Sequence, residues 1–586
     1  MSSWRDTTCG VLGAADAGKR VKVAGWTDTR RDHGGLVFID LRDFSGKVQL
    51  VINPERTADA AALAHEIRSE FVLQAEGEVV LRAPDAVNPN LPTGEIEIQV
   101  DVLTIVSRSE PLPFQIGEDV DEVLRLKYRY LDMRGERMQR NLRLNHTVIS
   151  AIRRAMDGLG FVDVWTPSMT KGTPEGARDF LVPVRLQPGK FFALAQSPQL
   201  FKQLCMVGGL DRYYQIATCW RDEDLRADRQ FEFRQLDLEM SFVDREDVLD
   251  VMEVAVVASF EAVGRAAPSR PFPRLTYTDA MRRFGSDKPD LRFGLEIQDA
   301  TELTRSSEFG VFSKAPVVRY IAVPRAFSRA ELGRLEELAK EWGGKGLAYL
   351  VNDGGEIRSP IAKFLSEQEL AALTPEAGST ALFAADSEDV VTRVLGGLRA
   401  HFGRELQLAE GQPDAFHWVI DFPLFERDED SGRWTFLHHP FTAAIAGSED
   451  QISSDPGNVI GQHYDLIWNG WEMGSGSIRI HRAELQQAVF TTMGLGAEEQ
   501  QEKFGFLLDA LHMGAPPHGG FAMGIDRFVA LMAGEPDIRQ VIAFPKVASG
   551  SDPLTGAPTS MPNGVLRELG IRSIAGPDQA EGTDSR

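Results

Sequence analysis

One short segment constrains the fold more than any other: Gln235-Leu236-Asp237-Leu238-Glu239-Met240. Its polar and apolar residues alternate with the period of two that is typical of a β-strand, so the three polar side chains share one face. The three apolar side chains share the other face, which predicts a strand packed against a hydrophobic core. Buried polar groups need partners, and a cationic ligand or a metal ion would provide them. The segment therefore predicts a sheet with a polar site on one side.

The length of 586 residues, with 43% hydrophobic and 25% charged, is enough for about three or four domains and excludes a small binding module. Lys and Arg number 63 and Asp and Glu 86, giving a net charge of −23, so a polyanion would have to bind at a local patch. The three cysteines (Cys9, Cys205, Cys219) form no CxxC pair, which indicates a reducing compartment. Without a signal peptide or an apolar span, we expect a cytoplasmic protein with no membrane contact.

The first hundred residues predict a small closed barrel of the OB-fold type, because short alternating strands are separated by glycine turns and one helix-like stretch spans 58–69. The residues predicted to face inward are Val37, Ile39, Leu41, Val48, Leu50, Ile52, Ile96, Ile98, Val100 and Val102. Those predicted to face outward include Phe38, Gln49, Val51, Glu95 and Glu97.

A basic window on this barrel is a candidate for the local patch at which a polyanion would bind. Between Lys19 and Lys47 there are seven basic residues and four acidic ones. Phe38 on the outer face could stack on an unpaired base, worth about 1 to 3 kcal/mol, while Gln49 reads a base edge and arginines hold phosphates. An exposed phenylalanine among solvated charges is the alternative, and this window alone does not decide between them.

Three further segments could carry chemistry. Gly and Pro around Glu175 predict a mobile loop. Ser197 is predicted as the N-cap of a helix that begins at Pro198, which places Gln199 and Lys202 on one face. The loop before the alternating strand, from Arg221 to Glu232, mixes arginines that can bind phosphates with acids that can orient an amine or a purine. A capped surface helix and a surface charge cluster are the alternatives.

The C-terminal part adds more polar residues. The adjacent histidines His438 and His439 are predicted to point to opposite faces, so that only one of them contacts a ligand. Asp465 and Glu472 are oxygen ligands suited to Mg²⁺ held together with phosphates, and the small residues 474–477 would let a ligand approach the backbone. Each of these residues could instead be structural.

A strand, a tight glycine and a helix are predicted around Gly524. Asp526 would cap the helix, and Arg527 would lie at its mouth, where its guanidinium could stack on a purine and meet a phosphate. The run does not resemble a GxxxxGK[ST] phosphate loop or a GxGxxG dinucleotide turn.

Taken in order, these residues resemble a known family. The Trp165-Thr166-Pro167 segment, the arginine loop at 221–223 and the Gly-Ile-Asp-Arg run are similar to the three signature motifs of class II aminoacyl-tRNA synthetases. The longer strings TPEGARDF, QSPQLFKQ, RDEDLRADRQ, HHPF, GSGSIRIH and GAPPHGG resemble the bacterial-type aspartyl-tRNA synthetase family. The resemblance covers nearly the whole chain, including RRDHGG and FIDLRD in the barrel.

The resemblance implies a multidomain α+β protein. Residues 1–107 would form an OB-fold anticodon-binding domain, 108–123 a hinge, and 124–288 and 416–560 the two parts of a catalytic domain with an antiparallel sheet. Residues 289–415 would be an α+β insertion domain, and 561–586 an extension whose polar end, 575–586, we expect to be disordered. A homodimer through the region around Pro167 is also implied.

The resemblance implies an enzyme that activates L-aspartate with ATP, releases pyrophosphate and transfers aspartate to the 3′ end of tRNA(Asp). Catalytic roles fall on Arg221, Arg479 and Arg527, and Mg²⁺ on Asp465 and Glu472. Aspartate would contact Glu175, Ser197, Gln199, Lys202, Arg221, Asp237, His438 and Arg479. ATP would contact Arg221, Asp222, Glu223, Gln230, Glu472, Gly524, Ile525, Asp526 and Arg527. The anticodon would contact Arg31, His33, Phe38, Gln49 and Glu95 or Glu97.

The chain departs from the family pattern at Phe231, where Pro is usual, at Gly172, where Ser is common, and at Trp471 and Ser475. No polar role is lost, so we expect activity to be intact and loop motions to be altered. His33 beside the anticodon face accompanies relaxed discrimination in this family, so a form that also charges tRNA(Asn) is an alternative. A tRNA-independent asparagine synthetase relative and a non-catalytic RNA-binding paralogue are two more, which the barrel residues and the retained Arg221, Asp465 and Arg527 disfavour.

Overall fold

The computed structural model describes residues 3–172, 177–428 and 431–574. It divides into two compact units, Met1–Arg140 with Pro553–Thr555 and Asn141–Asp552 with Gly556–Arg586. The first unit contains strands β1 (Arg20–His33), β2 (Leu36–Asp43), β3 (Gly46–Ile52), β4 (Val72–Leu81) and β5 (Ile96–Ser107), and helices α1 (Ala58–Ala64), α2 (Glu122–Lys127) and α3 (Arg129–Asp132). The strands close into a barrel in the order β1-β2-β3-β5-β4, which confirms the predicted barrel.

The barrel interior contains all but one of the residues predicted to face inward. Val102 is instead 51% exposed, because the pairing of β4 with β5 shifts register next to it and reverses the alternation. Gln49 and Val51, predicted to face outward, are 7% and 2% exposed. Strand β3 is contacted by α1 and by the N-terminal turn Cys9–Val11, so its second face is covered as well.

The basic window is not a free positive surface. Arg42, predicted to lie on the outer face, is buried and pairs with Glu70 at 2.7 Å and with Asp28 at 2.6 Å. The other basic residues of the window also meet carboxylates, which are Asp16, Asp101, Glu76, Asp32, Asp40 and Asp28 for Lys19, Arg20, Lys22, Arg30, Arg31 and Lys47. Four of the acidic partners, Glu70, Asp16, Asp101 and Glu76, come from outside the window, so its excess of positive charge is neutralised locally.

From residue 136 onward the chain first forms α4 (Glu136–Gly158), β6 (Val162–Asp163), β7 (Met169–Thr170), β8 (Leu181–Pro183), β9 (Phe191–Leu194), α5 (Gln199–Val207), β10 (Arg212–Trp220), β11 (Glu232–Ser241), α6 (Arg245–Ala262), β12 (Arg274–Thr276) and α7 (Tyr277–Phe284). Residues 289–415 contribute β13 (Gln298–Asp299), α8 (Gly310–Lys314), β14 (Val317–Val323), α9 (Arg329–Glu341), β15 (Ala348–Asp353), β16 (Glu356–Arg358), α10 (Glu367–Leu373), β17 (Ser379–Asp386) and α11 (Glu388–Glu405).

The remaining elements are β18 (Phe416–Ile420), β19 (Phe425–Arg427), β20 (Trp434–Phe436), α12 (Gln451–Ser454), β21 (His463–Trp468), β22 (Trp471–Ile478), α13 (Ala483–Thr492), α14 (Ala497–His512), β23 (His518–Gly524), α15 (Ile525–Ala533) and α16 (Asn563–Glu568). Eight strands form one sheet in the order β12-β18-β21-β22-β23-β11-β10-β6, mostly antiparallel, and smaller sheets pair β19 with β20 and join β7, β9 and β8.

The alternating segment is strand β11, inside the eight-stranded sheet between β10 and β23. Leu236, Leu238 and Met240 lie in the main hydrophobic core together with residues of α6, as the alternation predicts. Asp237 and Glu239 are fully buried on the opposite face. The sheet therefore presents a row of polar side chains on its face opposite α6.

Residues 289–415 form a five-stranded sheet in the order β13-β14-β17-β15-β16. The sequence pattern of this part predicts a strand near 317–323 and a helix with the apolar stripe Leu332, Leu335, Ala339 and Trp342. The strand is β14, the first three stripe residues are buried on α9, and Trp342 is the C-cap of that helix. These residues, with Val394 and Leu398 of α11, share a hydrophobic core of their own. The sequence pattern thus predicted this strand and this helix of the insertion correctly.

Several predicted helix limits were wrong. The sequence has helical periodicity from about 124 to 159, but this stretch forms the three helices α2, α3 and α4. Helix α1 ends at Ala64 rather than near residue 69. Helix α5 begins at Gln199 with Pro198 at the N-cap position, although the Ser197 hydroxyl does accept a hydrogen bond from the Gln199 N–H (3.3 Å). Strand β6 ends at Asp163, before Trp165. Among the described residues, no helix is long and apolar enough to cross a membrane.

Candidate active site

A cavity of about 650 Å³ lies on the polar face of the eight-stranded sheet. It brings together most of the predicted site residues, which are Ser197, Gln199, Lys202, Arg221, Glu223, Gln230, Asp237, His438, Glu472, Arg479, Gly524, Asp526 and Arg527. Asp465 and Ile525 lie behind its wall, and Asp222 lines a neighbouring depression with Arg178 and Phe231. Glu175 lies outside the described residues.

Two buried cations form the deepest part of the site. Arg479, directly after β22, donates from Nε and Nη2 to the two carboxylate oxygens of Glu239, at 2.8 and 3.1 Å. Lys202 Nζ on α5 lies 2.9 Å from Asp237 Oδ1 and 3.5 Å from Glu239 Oε2. The β11 carboxylates therefore already have protein cations as partners, in addition to any ligand or metal of the kind that the strand pattern predicted.

The electrostatics of this group follow from its burial. Burial alone would raise the pKa of Glu239, but Arg479 and Lys202 outweigh it and hold that pKa below its usual value. Burial would lower the pKa of Arg479, and Glu239 raises it instead. The pair is therefore charged. For Asp237, burial dominates and raises the pKa in spite of Lys202.

The two adjacent histidines do not point to opposite faces. Their ring centroids are 4.2 Å apart, and both rings line the cavity. His439, and not His438, contacts Arg479, with 2.5 Å between Nε2 and Nη1, while His438 stacks on His463 at 4.1 Å. The prediction was wrong because both residues follow β20 in irregular backbone, where strand alternation does not apply. Burial lowers the pKa of both imidazoles well below the ordinary value.

At the other end of the cavity the arginine loop after β10 supplies several side chains. Arg221 stacks over the Phe233 ring at 5.0 Å, and Glu223 pairs with Arg229 at 3.2 Å. Gln230 uses both ends of its amide on the backbone of Lys546, accepting from its N–H at 2.8 Å and donating to its C=O at 3.1 Å.

Arg527 and Asp526 occupy the start of α15. Arg527 lies in the first turn of α15, at the helix start where it was predicted, and lines the cavity. It donates to the Glu472 carbonyl at 2.7 Å and to Asp228 at 3.0 Å. Asp526 does not cap the helix, whose N-cap is Gly524. Its carboxylate accepts hydrogen bonds from the Arg234 backbone (2.9 Å) and the Arg234 guanidinium, and so joins α15 to β11.

The two carboxylates predicted for Mg²⁺ lie on the neighbouring strands β21 and β22. The Ser475 hydroxyl donates to Asp465 at 2.6 Å and lies 3.5 Å from Glu472. Burial, and then the nearby Asp465, raise the pKa of Glu472 in spite of Lys288 and Arg527. The described residues contain no cluster of three or more metal-binding side chains, but Mg²⁺ needs only one or two carboxylates with phosphates and water. The pair fits that ion.

The glycines of β22 are explained by the close packing of this strand against β23. A Cβ on Gly474 would lie 2.1 Å from the Ala522 carbonyl oxygen, and one on Gly476 would lie 2.3 Å from that of Gly520. Both glycines are therefore required by the close approach of β23, whether or not a ligand approaches as predicted. Ser475, between them, turned out to contact both acidic side chains.

In the first unit, the residues predicted for the anticodon lie on neighbouring strands. Arg31 is the cross-strand partner of Phe38, Asp40 is that of Gln49, and His33 ends β1 beside an exposed turn. Glu95 is exposed just before β5, and Glu97 is half-buried, 3.9 Å from Arg82. Phe38 is half-exposed, whereas Gln49 presents little surface.

Four residues of the site were missed from the sequence. Glu239 was recognised as polar but not as the partner of Arg479, and His439 was passed over for His438. Arg234 and Lys288 carried no signal of their own, because Arg234 meets Asp526 across 292 positions of sequence and Lys288 opens the insertion. Their positions depend on contacts between distant parts of the chain.

Comparison with known proteins identifies the family of both parts. A family model described as tRNA synthetases class II (D, K and N) matches residues 121–548, and one described as an OB-fold nucleic acid binding domain matches residues 21–106. An aspartate–tRNA ligase of Geobacillus kaustophilus is 48% identical over 97% of this chain and 98% of its own length. An aspartate–tRNA(Asp/Asn) ligase of Syntrophomonas wolfei is also 48% identical, over 95% of this chain and 97% of its own.

Solved structures agree with the fold. An asparaginyl-tRNA synthetase from Pyrococcus horikoshii, complexed with asparaginyl-adenylate, superposes with a TM-score of 0.59 at 19% identity, covering 92% of this chain and 97% of that one. An aspartyl-tRNA synthetase from Entamoeba histolytica gives a TM-score of 0.57 at 19% identity, covering 91% and 89%. At this identity the likeness concerns the fold alone.

Proposed function

The chain belongs to the class II tRNA synthetases of the D, K and N type, and from this premise we propose that it is an aspartate–tRNA ligase. It activates L-aspartate with ATP to aspartyl-adenylate and pyrophosphate, and then transfers aspartate to the 3′ end of tRNA(Asp). The observation that carries the proposal is Arg479, a buried guanidinium that Glu239 holds at the floor of a cavity lined by further cations.

For the amino acid, we assign the deep end of the cavity. Arg479 and Lys202 bind the side-chain carboxylate, with Gln199, Ser197 and the histidine pair around them, and Asp237 meets the ammonium group together with Glu175. Of the two histidines, His439 is the better candidate for a carboxylate contact, because its Nε2 lies beside Arg479 Nη1.

For ATP, we assign the arginine-rich end. Arg221 bridges the α-carboxylate of aspartate and the α-phosphate of ATP, and its guanidinium stacks on the Phe233 ring. Arg527 contacts the purine and the terminal phosphate, while Glu223 and Gln230 face the adenine. Gln230 also positions the backbone of Lys546. Asp222, Gly524, Ile525 and Asp526 support the same end, with Asp526 acting through Arg234.

Asp465 and Glu472 would hold Mg²⁺, which supplies charge neutralisation at the phosphates when it is bound. The residues of the chain contribute by positioning the substrates, because attack of the α-carboxylate of aspartate on the α-phosphorus needs no protein nucleophile. The oxygen–phosphorus bond forms as the bond to the pyrophosphate oxygen breaks, and the leaving group takes that electron pair. Arg221 and Arg527 offset the charge that develops.

Selection of aspartate over asparagine depends on how the two cations of the deep end are already paired. Two uncompensated cations would reject a neutral amide strongly, but Lys202 and Arg479 already face Asp237 and Glu239. Discrimination then rests on the remaining donors. Arg479 and Lys202 can only donate, so an amide NH₂ placed against them would lack an acceptor.

For the tRNA, we propose that the barrel reads the anticodon through Phe38, with Arg31, Gln49 and Glu95 or Glu97 nearby. The similarity to the aspartate–tRNA(Asp/Asn) ligase of Syntrophomonas wolfei and the exposed His33 support a second candidate function, which is charging of tRNA(Asn) as well. Charging of purified tRNA(Asp) and tRNA(Asn) in parallel distinguishes the two. Equal rates support the dual function, and a strong preference for tRNA(Asp) contradicts it.

We further propose a homodimer through the region around Pro167, because Trp165 there is 90% exposed and Met169 is also exposed. Light scattering of the purified protein, with Trp165→Glu as the variant, tests this assembly. A cytoplasmic location is also proposed, since a chain of 586 residues with only three cysteines and no CxxC pair is typical of a reducing compartment.

The central experiment is ATP–pyrophosphate exchange with each of the twenty amino acids. Aspartate alone should support exchange, and it should do so in the absence of tRNA. No exchange with any amino acid would contradict the enzyme assignment, and exchange with asparagine or lysine would contradict the proposed substrate.

A further inference from the structure

The loop that opens the insertion reaches into the cavity. Lys288 lines it, and its Nζ lies 3.7 Å from Glu472 Oε2 with 47% of the side chain exposed. No role assigned above uses this residue. An ammonium group has three N–H donors, and this one makes only a long ion pair, so it retains donors directed at a ligand.

Local contacts fix the backbone around Lys288. The Ser286 hydroxyl accepts a hydrogen bond from the Lys288 N–H at 3.1 Å, and Arg292 pairs with Asp290 at 2.7 Å. The turn between β21 and β22 packs against this loop, since a Cβ on Gly470 would lie 3.0 Å from the Asp290 side chain. The same turn leads into Glu472, so Lys288 and Glu472 are held by segments in direct contact.

Helix α11 at the far end of the insertion holds this loop from the other side. Arg399 donates to the carbonyls of Asp290, Phe293 and Gly294 at 2.8, 3.0 and 3.0 Å. Its guanidinium carbon lies 4.4 Å from the Phe293 ring centroid and 4.9 Å from that of Phe284.

A second contact between α11 and the loop is made by glycines. A Cβ on Gly396 would lie 2.2 Å from the Gly285 carbonyl oxygen, so backbone touches backbone there. Residues at both ends of the insertion therefore meet at the loop that carries Lys288. Helix α11 of the insertion therefore holds the backbone of the loop that carries Lys288.

The chemistry at this end of the cavity selects the ligand. Lys288 and Arg527 both contact Glu472, one through the carboxylate and the other through the backbone carbonyl. A bound triphosphate would bring several negative charges to these two cations, and lysine is a common phosphate binder in proteins. Asp290 is already paired with Arg292, so it does not compete for Lys288.

We propose that Lys288 is a further catalytic residue, which binds the terminal phosphates of ATP and the pyrophosphate leaving group, and that Arg399 is its positioning residue. The inference rests on the proposed function. When the aspartate oxygen bonds to the α-phosphorus and the bond from that phosphorus to the bridging oxygen breaks, pyrophosphate takes the electron pair. The Lys288 ammonium keeps its proton and offsets the new charge.

The test compares Lys288→Gln with Lys340→Gln, the same change on the exposed face of α9. Loss of a charge-assisted hydrogen bond should raise the KM for pyrophosphate in the exchange reaction, and the KM for ATP, by about tenfold to a hundredfold. Titration calorimetry with inorganic pyrophosphate should show the same loss of affinity without turnover. The KM for aspartate should not change, and Lys288→Arg should restore part of the affinity.

Unchanged pyrophosphate affinity in Lys288→Gln, with normal exchange in the wild type, would overturn the inference while leaving the proposed function intact. Absence of aspartate-dependent exchange in the wild type would instead overturn the proposed function. For the positioning role, Arg399→Lys should weaken pyrophosphate binding with the aspartate KM unchanged, and Arg404→Lys on the same helix should have no effect. Equal losses for aspartate and pyrophosphate in Arg399→Lys would indicate a merely structural role.

Discussion

Arg479 and Glu239 form a two-pronged ion pair, at 2.8 and 3.1 Å, in which both side chains are almost fully buried. Glu239 stands on β11 and Arg479 directly follows β22, and strand β23 separates the two. The pair thus crosses the floor of the cavity. It fixes the guanidinium plane while Nη1 contacts His439 and Ser477.

The first prediction concerns this pair. Glu239→Gln removes a charge and leaves Arg479 buried without its counter-ion, which typically costs about 3 to 5 kcal/mol of the free energy of unfolding. We also expect the KM for aspartate to rise, because the guanidinium is no longer oriented. Chemical denaturation and exchange kinetics measure the two effects. Glu246→Gln on the exposed side of α6 is the matched control, and an unchanged aspartate KM in Glu239→Gln would refute the orienting role.

The second prediction separates the barrel from the catalytic site. Phe38→Ala should raise the KM for tRNA by an amount that corresponds to about 1 to 3 kcal/mol, because a stacking surface for one base is lost. Exchange without tRNA should be unchanged. Phe44→Ala provides a control on the same barrel, since Phe44 is exposed at the β2–β3 turn beneath Arg5. An equal loss in charging and in exchange would show that Phe38 acts through folding.

What the sequence predicted correctly was local. Period-two alternation identified β11 and the inward-facing residues of β2, because neighbouring side chains of a strand must point to opposite faces. The same rule failed for His438 and His439, which lie outside a strand, and for Val102, where a register shift intervenes. Local rules apply only while the backbone stays regular.

What could not be predicted depends on distant contacts. Arg42 looked like a phosphate-binding residue, but Glu70 from a later turn pairs with it inside the barrel. Asp526 was predicted to cap a helix, but its carboxylate accepts a hydrogen bond from the Arg234 backbone instead. In both cases the sequence indicated a charged side chain that needs a partner, but the partner comes from a distant part of the chain: Glu70 for Arg42 and Arg234 for Asp526.

The third prediction tests the glycines of β22. Gly476→Ala would place a methyl group 2.3 Å from the Gly520 carbonyl oxygen and 2.6 Å from the Tyr464 ring. Overpacking of this kind costs about 1 to 3 kcal/mol or more, so thermal unfolding should begin at a lower temperature. Gly496→Ala is the control, because nothing lies within 4 Å of its added Cβ and its φ is −72°. Equal melting curves for the two variants would contradict the close-approach explanation.

The fourth prediction concerns pH and His417 on β18. The side chain is fully buried, and neither ring nitrogen has a hydrogen-bond partner among the residues that the structure describes. Burial lowers its pKa to about 4 in spite of the nearby Asp290. In the unfolded chain the pKa is about 6.5, so protons bind the unfolded state first as the pH falls. The stability that depends on neutral His417 is complete above pH 6.5 and is lost progressively toward pH 4, by an amount on the order of 3 kcal/mol.

His417→Leu removes this titration and a buried polar group together. The variant should unfold at the same or a higher denaturant concentration than the wild type at neutral pH, and it should lose less stability on going to pH 5. His401→Leu, on the partly exposed side of α11, should leave the acid-induced loss in place. If denaturation midpoints of wild type and His417→Leu fall in parallel with decreasing pH, the acid sensitivity arises elsewhere, and the paired carboxylates of the cavity floor become the next residues to test.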